Sequence, residues 1–211
     1  MSELTTRDDE IRDAGRTAAA LVAPGMRVGL GTGRTVARLL EALAARRVSD
    51  LRCVATSPET ERAAAGIGIA VEPFDALDRL DIAIDGTDQV TDDRWAVKGG
   101  HGAHLREKIV AAAADRFVVI ASADKLVDAV RPPIPLELRP FGLAATLREL
   151  GFARLRRDAP PTPDGGVLAD YVGPLDDGPA AVAAWLDSVP GVSGHGLFGP
   201  ALIGDVIVGR G

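Results

Sequence analysis

Between residues 26 and 122 the chain alternates two hydrophobic rhythms. Short apolar runs occur at MRVGLG (26–31), LRCVAT (51–56), DIAIDG (81–86) and FVVIAS (117–122). Unbroken runs of this length are the signature of strands covered on both faces. Between them the apolar residues recur every three or four positions. Val36, Leu39, Leu40 and Leu43 form one such stripe, and Leu105, Ile109 and Ala112 form another. Both predict helices that pack an apolar face on a sheet. Alternating strands and helices of this kind build βαβ units, and hence an α/β fold on a parallel sheet.

The rhythm changes at RPPIP (131–135), where closely spaced prolines forbid helix and favour extended chain. Beyond it the pattern reads as strand 134–139, helix 141–150, strands 153–158 and 167–172, helix 178–188 and strand 192–198. This β-α-β-β-α-β order predicts a ferredoxin-like α+β domain. The apolar tail 205–208 is short enough to return to the first sheet as its last strand. The expected division is therefore 1–131 plus 203–211 for a parallel-sheet catalytic domain and 132–202 for the smaller one.

Composition changes this picture little. Of 211 residues, 46% are hydrophobic and 26% charged, which suits a chain with a packed core and argues against disorder. The net charge of −6 argues against nucleic-acid or anionic-membrane partners, which require clustered Lys and Arg. The opening MSELTTRDDEIRDAG has no apolar signal core, and no run is long enough to span a bilayer, so a cytoplasmic location is expected. Cys53 is the only cysteine, which excludes intrachain disulfides and a Cys-rich zinc site. Within its strand it reads as a buried, inert thiol.

Three segments carry candidate chemistry. The first, Gly29-Leu30-Gly31-Thr32-Gly33-Arg34-Thr35, joins a strand to a helix, where glycines bring backbone N–H groups and a helix N-terminus close to an anion. Arg34 occupies a position that the dinucleotide fingerprint reserves for glycine, and the Gly-Lys-Ser/Thr of a nucleotide P-loop is missing, so a small phosphorylated metabolite fits better. A ligand-free βα turn has the same local requirements. The second, Asp85-Gly86-Thr87-Asp88, puts two carboxylates just past a strand end, where open α/β sheets bind ligands; a turn with a capping Asp is the plainer alternative. The third, Lys98-Gly99-Gly100-His101-Gly102-Ala103, leads into a helix bearing Glu107. Glu107 lies about 200° around that helix from Leu105, which reads as a solvated residue, or as a general base with Lys98 stabilising an enediolate if the glycine loop folds back.

GLGTGRT, TSPETE (56–61), DGTDQV, KGGHGAHLREKIV, ADKLV and PGVSGHGLF, taken in order, resemble the motif series of type A ribose-5-phosphate isomerase from about residue 10 to the C-terminus. That family implies a Rossmann-like domain with a smaller α+β domain, and a homo-oligomer, dimeric or tetrameric. It implies interconversion of ribose 5-phosphate and ribulose 5-phosphate in the pentose phosphate pathway, without metal or redox cofactor. Carried over position by position, Thr32, Gly33, Arg34 and Thr35 fall on the phosphate loop. Asp85 and Asp88, with Gly86 and Thr87 between them, fall on the loop that holds the sugar and assists ring opening. Lys98 lies beside the reacting oxygens, with Gly99, Gly100 and His101 completing its loop; Glu107 matches the base and Lys125 a further substrate contact.

The chain departs from the family at Arg34, Gln89, His101 and His104, where Ser, Glu, Gly and a small or apolar residue are usual. The lysine usual near the start of the first helix is absent; Ile11 takes its place, with Arg12 adjacent. These changes bear on substrate identity more than on reaction class. They leave room for an isomerase of a modified pentose phosphate. A non-catalytic sugar-phosphate sensor on the same fold fits less well, because the base and lysine are both retained. His101 and His104 have no third ligand nearby and are a weak metal pair, and His195 reads as a structural or subunit-contact residue.

Overall fold

The computed structural model describes residues 3–211, with side chains from Thr6 onward. In chain order the elements are α1 (Glu3–Ala19), β1 (Arg27–Leu30), α2 (Arg34–Arg46), β2 (Arg52–Ala55), α3 (Pro58–Gly66), β3 (Ile82–Gly86), β4 (Gln89–Val90), β5 (Ala96–Val97), α4 (His104–Ala112) and β6 (Phe117–Ala121). They continue with β7 (Ile134–Leu138), α5 (Leu143–Leu150), β8 (Ala153–Leu155), β9 (Val167–Tyr171), α6 (Gly178–Ser188), β10 (Val192–His195), β11 (Leu197–Phe198) and β12 (Asp205–Val208).

By packing, the chain separates into two units. The first takes the chain up to Thr87, then Arg106–Leu126 and Pro200–Gly211; the second takes Asp88–Leu105 and Val127–Gly199. The expected division differs from these units in three segments, since it grouped 88–105 and 127–131 with the first domain and 200–202 with the second. Residues 88–105 account for most of the difference. Those residues contain β4 and β5, two-residue strands too short to leave a hydrophobic period.

The first unit holds a five-stranded sheet in the order β12-β6-β3-β1-β2, and every pairing in it is parallel. The apolar tail does return as its edge strand, beside β6. Numbered within the unit, the order is 2-1-3-4-5, the doubly wound arrangement whose direction reverses between β1 and β3. β3 and β6 are buried along their whole length, as their continuous apolar runs require. The stripe Val36, Leu39, Leu40 and Leu43 lies fully inside, packed with Val28, Leu30, Ile82 and Ile84.

The α4 stripe behaves otherwise. Ile109 is 50% exposed, and Glu107, Val110 and Ala111 form the buried face. Leu105, Ile109 and Ala112 do share a period, but so do 107, 110, 111 and 114, and the alanine-rich sequence gives neither face a decisive advantage. α3 was also not anticipated. Its signal is a cap: the Ser57 hydroxyl accepts the Thr60 N–H at 3.2 Å, with Pro58 in the first turn.

The second unit contains a four-stranded antiparallel sheet, β10-β7-β9-β8. Numbered within the sheet this is 4-1-3-2, the order of the ferredoxin-like domain that the β-α-β-β-α-β pattern predicts. α6 has the expected bounds, whereas the expected strand 192–198 breaks at Gly196. Val192–His195 stays with β7, and Leu197–Phe198 joins a small sheet with β5 and β4. The core gathers Ile134, Leu136, Leu138, Leu150, Tyr171 and Leu186. Among the described residues no helix is long and apolar enough to cross a membrane.

Candidate active site

In the first unit the candidate residues cluster at the carboxyl edge of the parallel sheet, where the strand order reverses. The Gly31 N–H donates to the Ile84 carbonyl at 3.0 Å, extending the β1–β3 ladder one residue past the strand end. The Asp85 carboxylate is buried and accepts the N–H groups of Thr32 (3.0 Å) and Gly86 (2.7 Å) through one oxygen. A methyl group on Gly31 would overlap that carboxylate, so glycine is required for the approach. Asp85 is thus more than a turn residue, because it fixes the backbone of the 32–35 turn.

Two threonines support the turn. The Thr32 hydroxyl lies 2.8 Å from that of Thr56, beyond the end of β2, and the Thr60 hydroxyl donates to the Gly31 carbonyl at 2.7 Å. Gly33 precedes α2 without a side-chain cap, and the first turn of α2 carries no acidic residue. Helix N–H groups and the positive end of the dipole are therefore left available for an anion. Thr35 is half-buried near Gly86, while the Arg34 side chain is exposed. Lys125, beyond the end of β6, has Asp124 as its ion partner at 3.8 Å. Glu107 lies in the first turn of α4 and is 4% exposed, so the solvated reading is overturned.

In the second unit the glycine loop is held from two sides. Asp88 donates its backbone N–H to the Val97 carbonyl and accepts the Gly100 N–H on its carboxylate, both at 2.9 Å. Opposite, Arg156 donates to the carbonyls of Gly99 (3.0 Å) and Gly100 (3.1 Å). Arg156 is itself fixed by a two-pronged bond to Asp170, at 2.9 and 2.6 Å. Gly99 sits at φ 106°, a left-handed conformation costly for other residues, and a Cβ there would meet the His104 ring at 2.6 Å.

Lys98 is 3% exposed, anchored by its N–H on Gly196, with its ammonium 5.6 Å above the Phe198 ring. His101 is exposed and His104 fully buried. Among the described residues no group of three or more His, Cys, Asp or Glu is placed to hold a metal.

The structure thus brings Gly31, Thr32, Asp85 and Gly86 together in one unit, and Asp88 and Gly100 in the other. Among the described residues Lys125 bonds to neither group. Arg156, Thr56 and Thr60 were missed. Thr56 and Thr60 lie within a quoted motif, but Arg156 is one of several arginines in RLRRD, 56 residues from its acceptor, and nothing local marks it.

A doubly wound sheet with an anion-ready turn at its reversal point and, in the same unit, a buried carboxylate on α4 defines a class, the α/β enzymes that work on small anionic substrates. Comparison with known proteins narrows it. Residues 52–211 match the family described as Ribose 5-phosphate isomerase A (phosphoriboisomerase A). Relatives named Ribose-5-phosphate isomerase A include one from Halobacterium salinarum, 44% identical over 204 residues, covering 90% of this chain and 88% of that protein. Another, from Methanosarcina acetivorans, is 41% identical over 94% of this chain and 91% of its own. Ribose 5-phosphate isomerase A from Neisseria gonorrhoeae superposes with a TM-score of 0.92 at 31% identity, over 98% and 94% of the two chains. A D-ribose-5-phosphate isomerase in complex with phospho-erythronic acid superposes at 0.87, with 32% identity over 96% and 95%. The chain belongs to the ribose 5-phosphate isomerase A family, and is an isomerase.

Proposed function

We propose that this isomerase interconverts D-ribose 5-phosphate and D-ribulose 5-phosphate through a cis-enediolate, with Glu107 as the base. The observation that carries the reading is the burial of the Glu107 carboxylate on α4. A general base needs a pKa near working pH, which shielding from water favours and free solvation does not. Family membership supports the substrate, and so does the phosphorylated acid held by the 32%-identical relative.

In the first step Asp85 and Asp88 assist ring opening. The C1 hydroxyl loses its proton, the bond from C1 to the ring oxygen breaks, and that oxygen takes up a proton as the C4 hydroxyl. The ionised Glu107 then removes the proton from C2, and the electrons of the C1 carbonyl move onto O1. Lys98 and backbone N–H groups stabilise that oxyanion. The enediolate closes to the ketose when Glu107 returns its proton to C1 and the O2 proton passes to O1. No electrons are gained or lost overall. The 32–35 turn, with Lys125, holds the phosphate, while Gly86, Thr87, Gly99, Gly100 and His101 line the sugar.

The test is proton NMR of ribose 5-phosphate in deuterated water. The intact protein converts aldose to ketose with solvent deuterium entering the carbon skeleton. Glu107→Gln is expected to reduce exchange at C2 by at least about 10²-fold, the lower range for a positioned base, while sugar-phosphate binding persists. Exchange at the original rate would remove Glu107 from the role. We also infer a homo-oligomer formed through the second unit, supported by Phe141 (95% exposed) and the exposed Phe152. Sedimentation showing only monomers at micromolar concentration would end that inference.

A further inference from the structure

Beside the 32–35 turn, α1 and α2 enclose a cavity of about 240 Å³ lined by Arg7, Asp8, Ile11, Arg34, Ala37 and Arg38. Arg7 and Ile11 are one turn apart on α1, and Arg34 and Arg38 one turn apart on α2, so each helix presents one face to the space. Three guanidinium groups and one carboxylate on so small a wall is an unusual concentration in a chain of net charge −6.

The three arginines are not equivalent. Arg38 is committed to structure, donating to Asp8 at 2.9 Å and to both oxygens of Glu41 at 2.7 and 3.0 Å. Arg34, the first residue of α2, makes no ion pair among the described residues. Arg7 touches Asp124 through one terminal nitrogen at 3.1 Å. Its Nε is buried from solvent and, among the described residues, has no hydrogen-bond partner. A buried guanidinium donor left open costs free energy unless a ligand completes it. Arg12, adjacent to the position of the missing lysine, pairs with Asp8 at 2.6 Å and Asp9 at 3.6 Å and does not line the cavity. Ile11 lines it but brings no charge.

We propose that Arg7 and Arg34 form a two-guanidinium clamp that grips the substrate's phosphate from the cavity side while the N–H groups of the 32–35 turn hold it from the other. The inference rests on the phosphate placement proposed above and adds a residue, Arg7, that no motif indicated. It also gives Arg34 a purpose at a position where the family usually has serine. The planar forks suit a tetrahedral dianion, which accepts several charge-assisted bonds at once. Arg38, held by Asp8 and Glu41, positions α1 against α2 and keeps the clamp's spacing.

The test compares Arg7→Ala, Arg7→Met and Arg34→Ser with Arg16→Ala as the control, since Arg16 is exposed and, among the described residues, its side chain pairs only with Asp13 on its own helix. Two quantities are read: KM for ribose 5-phosphate, and the affinity for inorganic phosphate by calorimetry, which needs no turnover. Losing charge-assisted bonds to a dianion weakens both by about tenfold or more, so Arg7→Ala, Arg7→Met and Arg34→Ser should each show it and Arg16→Ala neither. Arg7→Met keeps the aliphatic stem and serves if the alanine variant does not fold. Unchanged phosphate affinity in the Arg7 variants, or a loss confined to Arg34→Ser, overturns the clamp. Failure of the isomerase reading is separately visible, as an intact protein that yields no ketose.

Discussion

Cys53 illustrates how one side chain's surroundings set its chemistry. It is fully buried in β2, and that burial, with a smaller contribution from the negative charge of Glu72, pushes its thiol up to about 11. Only the thiolate is nucleophilic. At pH 8 the folded protein is therefore expected to resist iodoacetamide, and to incorporate one equivalent once denatured. Rapid stoichiometric labelling of the folded protein would contradict the assignment. His195 is fixed in a comparable way. Its Nδ1 accepts the Leu197 N–H at 3.2 Å, which leaves the proton of the neutral ring on Nε2, 3.1 Å from Asp187. His195 is 2% exposed, and these contacts support the structural reading over the subunit-contact one. Glu107 is the opposite lesson, because residue type and helical phase both allowed a solvated carboxylate and only the packing of α4 removed it from water.

At the scale of elements, the glycine loop is the part most dependent on distant support. Arg156 supplies two of its carbonyl bonds and is held by Asp170. Arg156→Ala should leave the secondary structure intact by circular dichroism yet lower kcat/KM about 10- to 100-fold, because small displacements of a positioned catalytic group are costly. Wild-type kinetics in a folded Arg156→Ala protein would show that the loop keeps its shape without this contact. The strands and α2 were legible because each has an unbroken or sharply periodic apolar pattern. The buried face of α4 was not, since two interleaved stripes compete within a run of alanines; β4 and β5 were not, since two residues cannot display a period, and β11 was read only as the end of a longer strand. The Asp88–Gly100 bond was half legible: both residues lie in motifs, but their pairing is a matter of loop geometry.

Across the whole molecule, surface carboxylates are held below their usual range by arginines. Arg27 donates to Asp81 through side chain and backbone, Arg52 pairs with Glu72, Arg38 with Asp8, and the Arg210 backbone N–H with Asp13. A carboxyl whose pKa is lower folded than unfolded adds stability that is fully present above the unfolded value, about 3.9 for Asp, and is lost as pH falls through the folded one. These groups should therefore contribute no slope between pH 7 and 5 and a falling stability below about pH 4. Each contribution is small, because the pairs are solvent-screened. Thermal melts from pH 7 to 3 check this, with Asp81→Asn expected to flatten the acid limb; an equally steep limb in that variant would exclude Asp81 as a contributor.

What the sequence determined unaided was what is written locally: the α/β order, the change to a β-α-β-β-α-β pattern, the returning C-terminal strand and the motif series that names the family. Those features follow from hydrophobic period, proline and glycine placement, and residues adjacent along the chain. What only the tertiary structure decided was which way side chains face and which distant groups meet. The burial of Glu107, the clamping of the glycine loop by Arg156, and the arrival of Arg7 rather than Arg12 beside Arg34 all depend on helix rotation and on approaches between segments far apart in sequence. Short-range pattern does not encode such approaches, because they are fixed by how the packed elements exclude one another's volume.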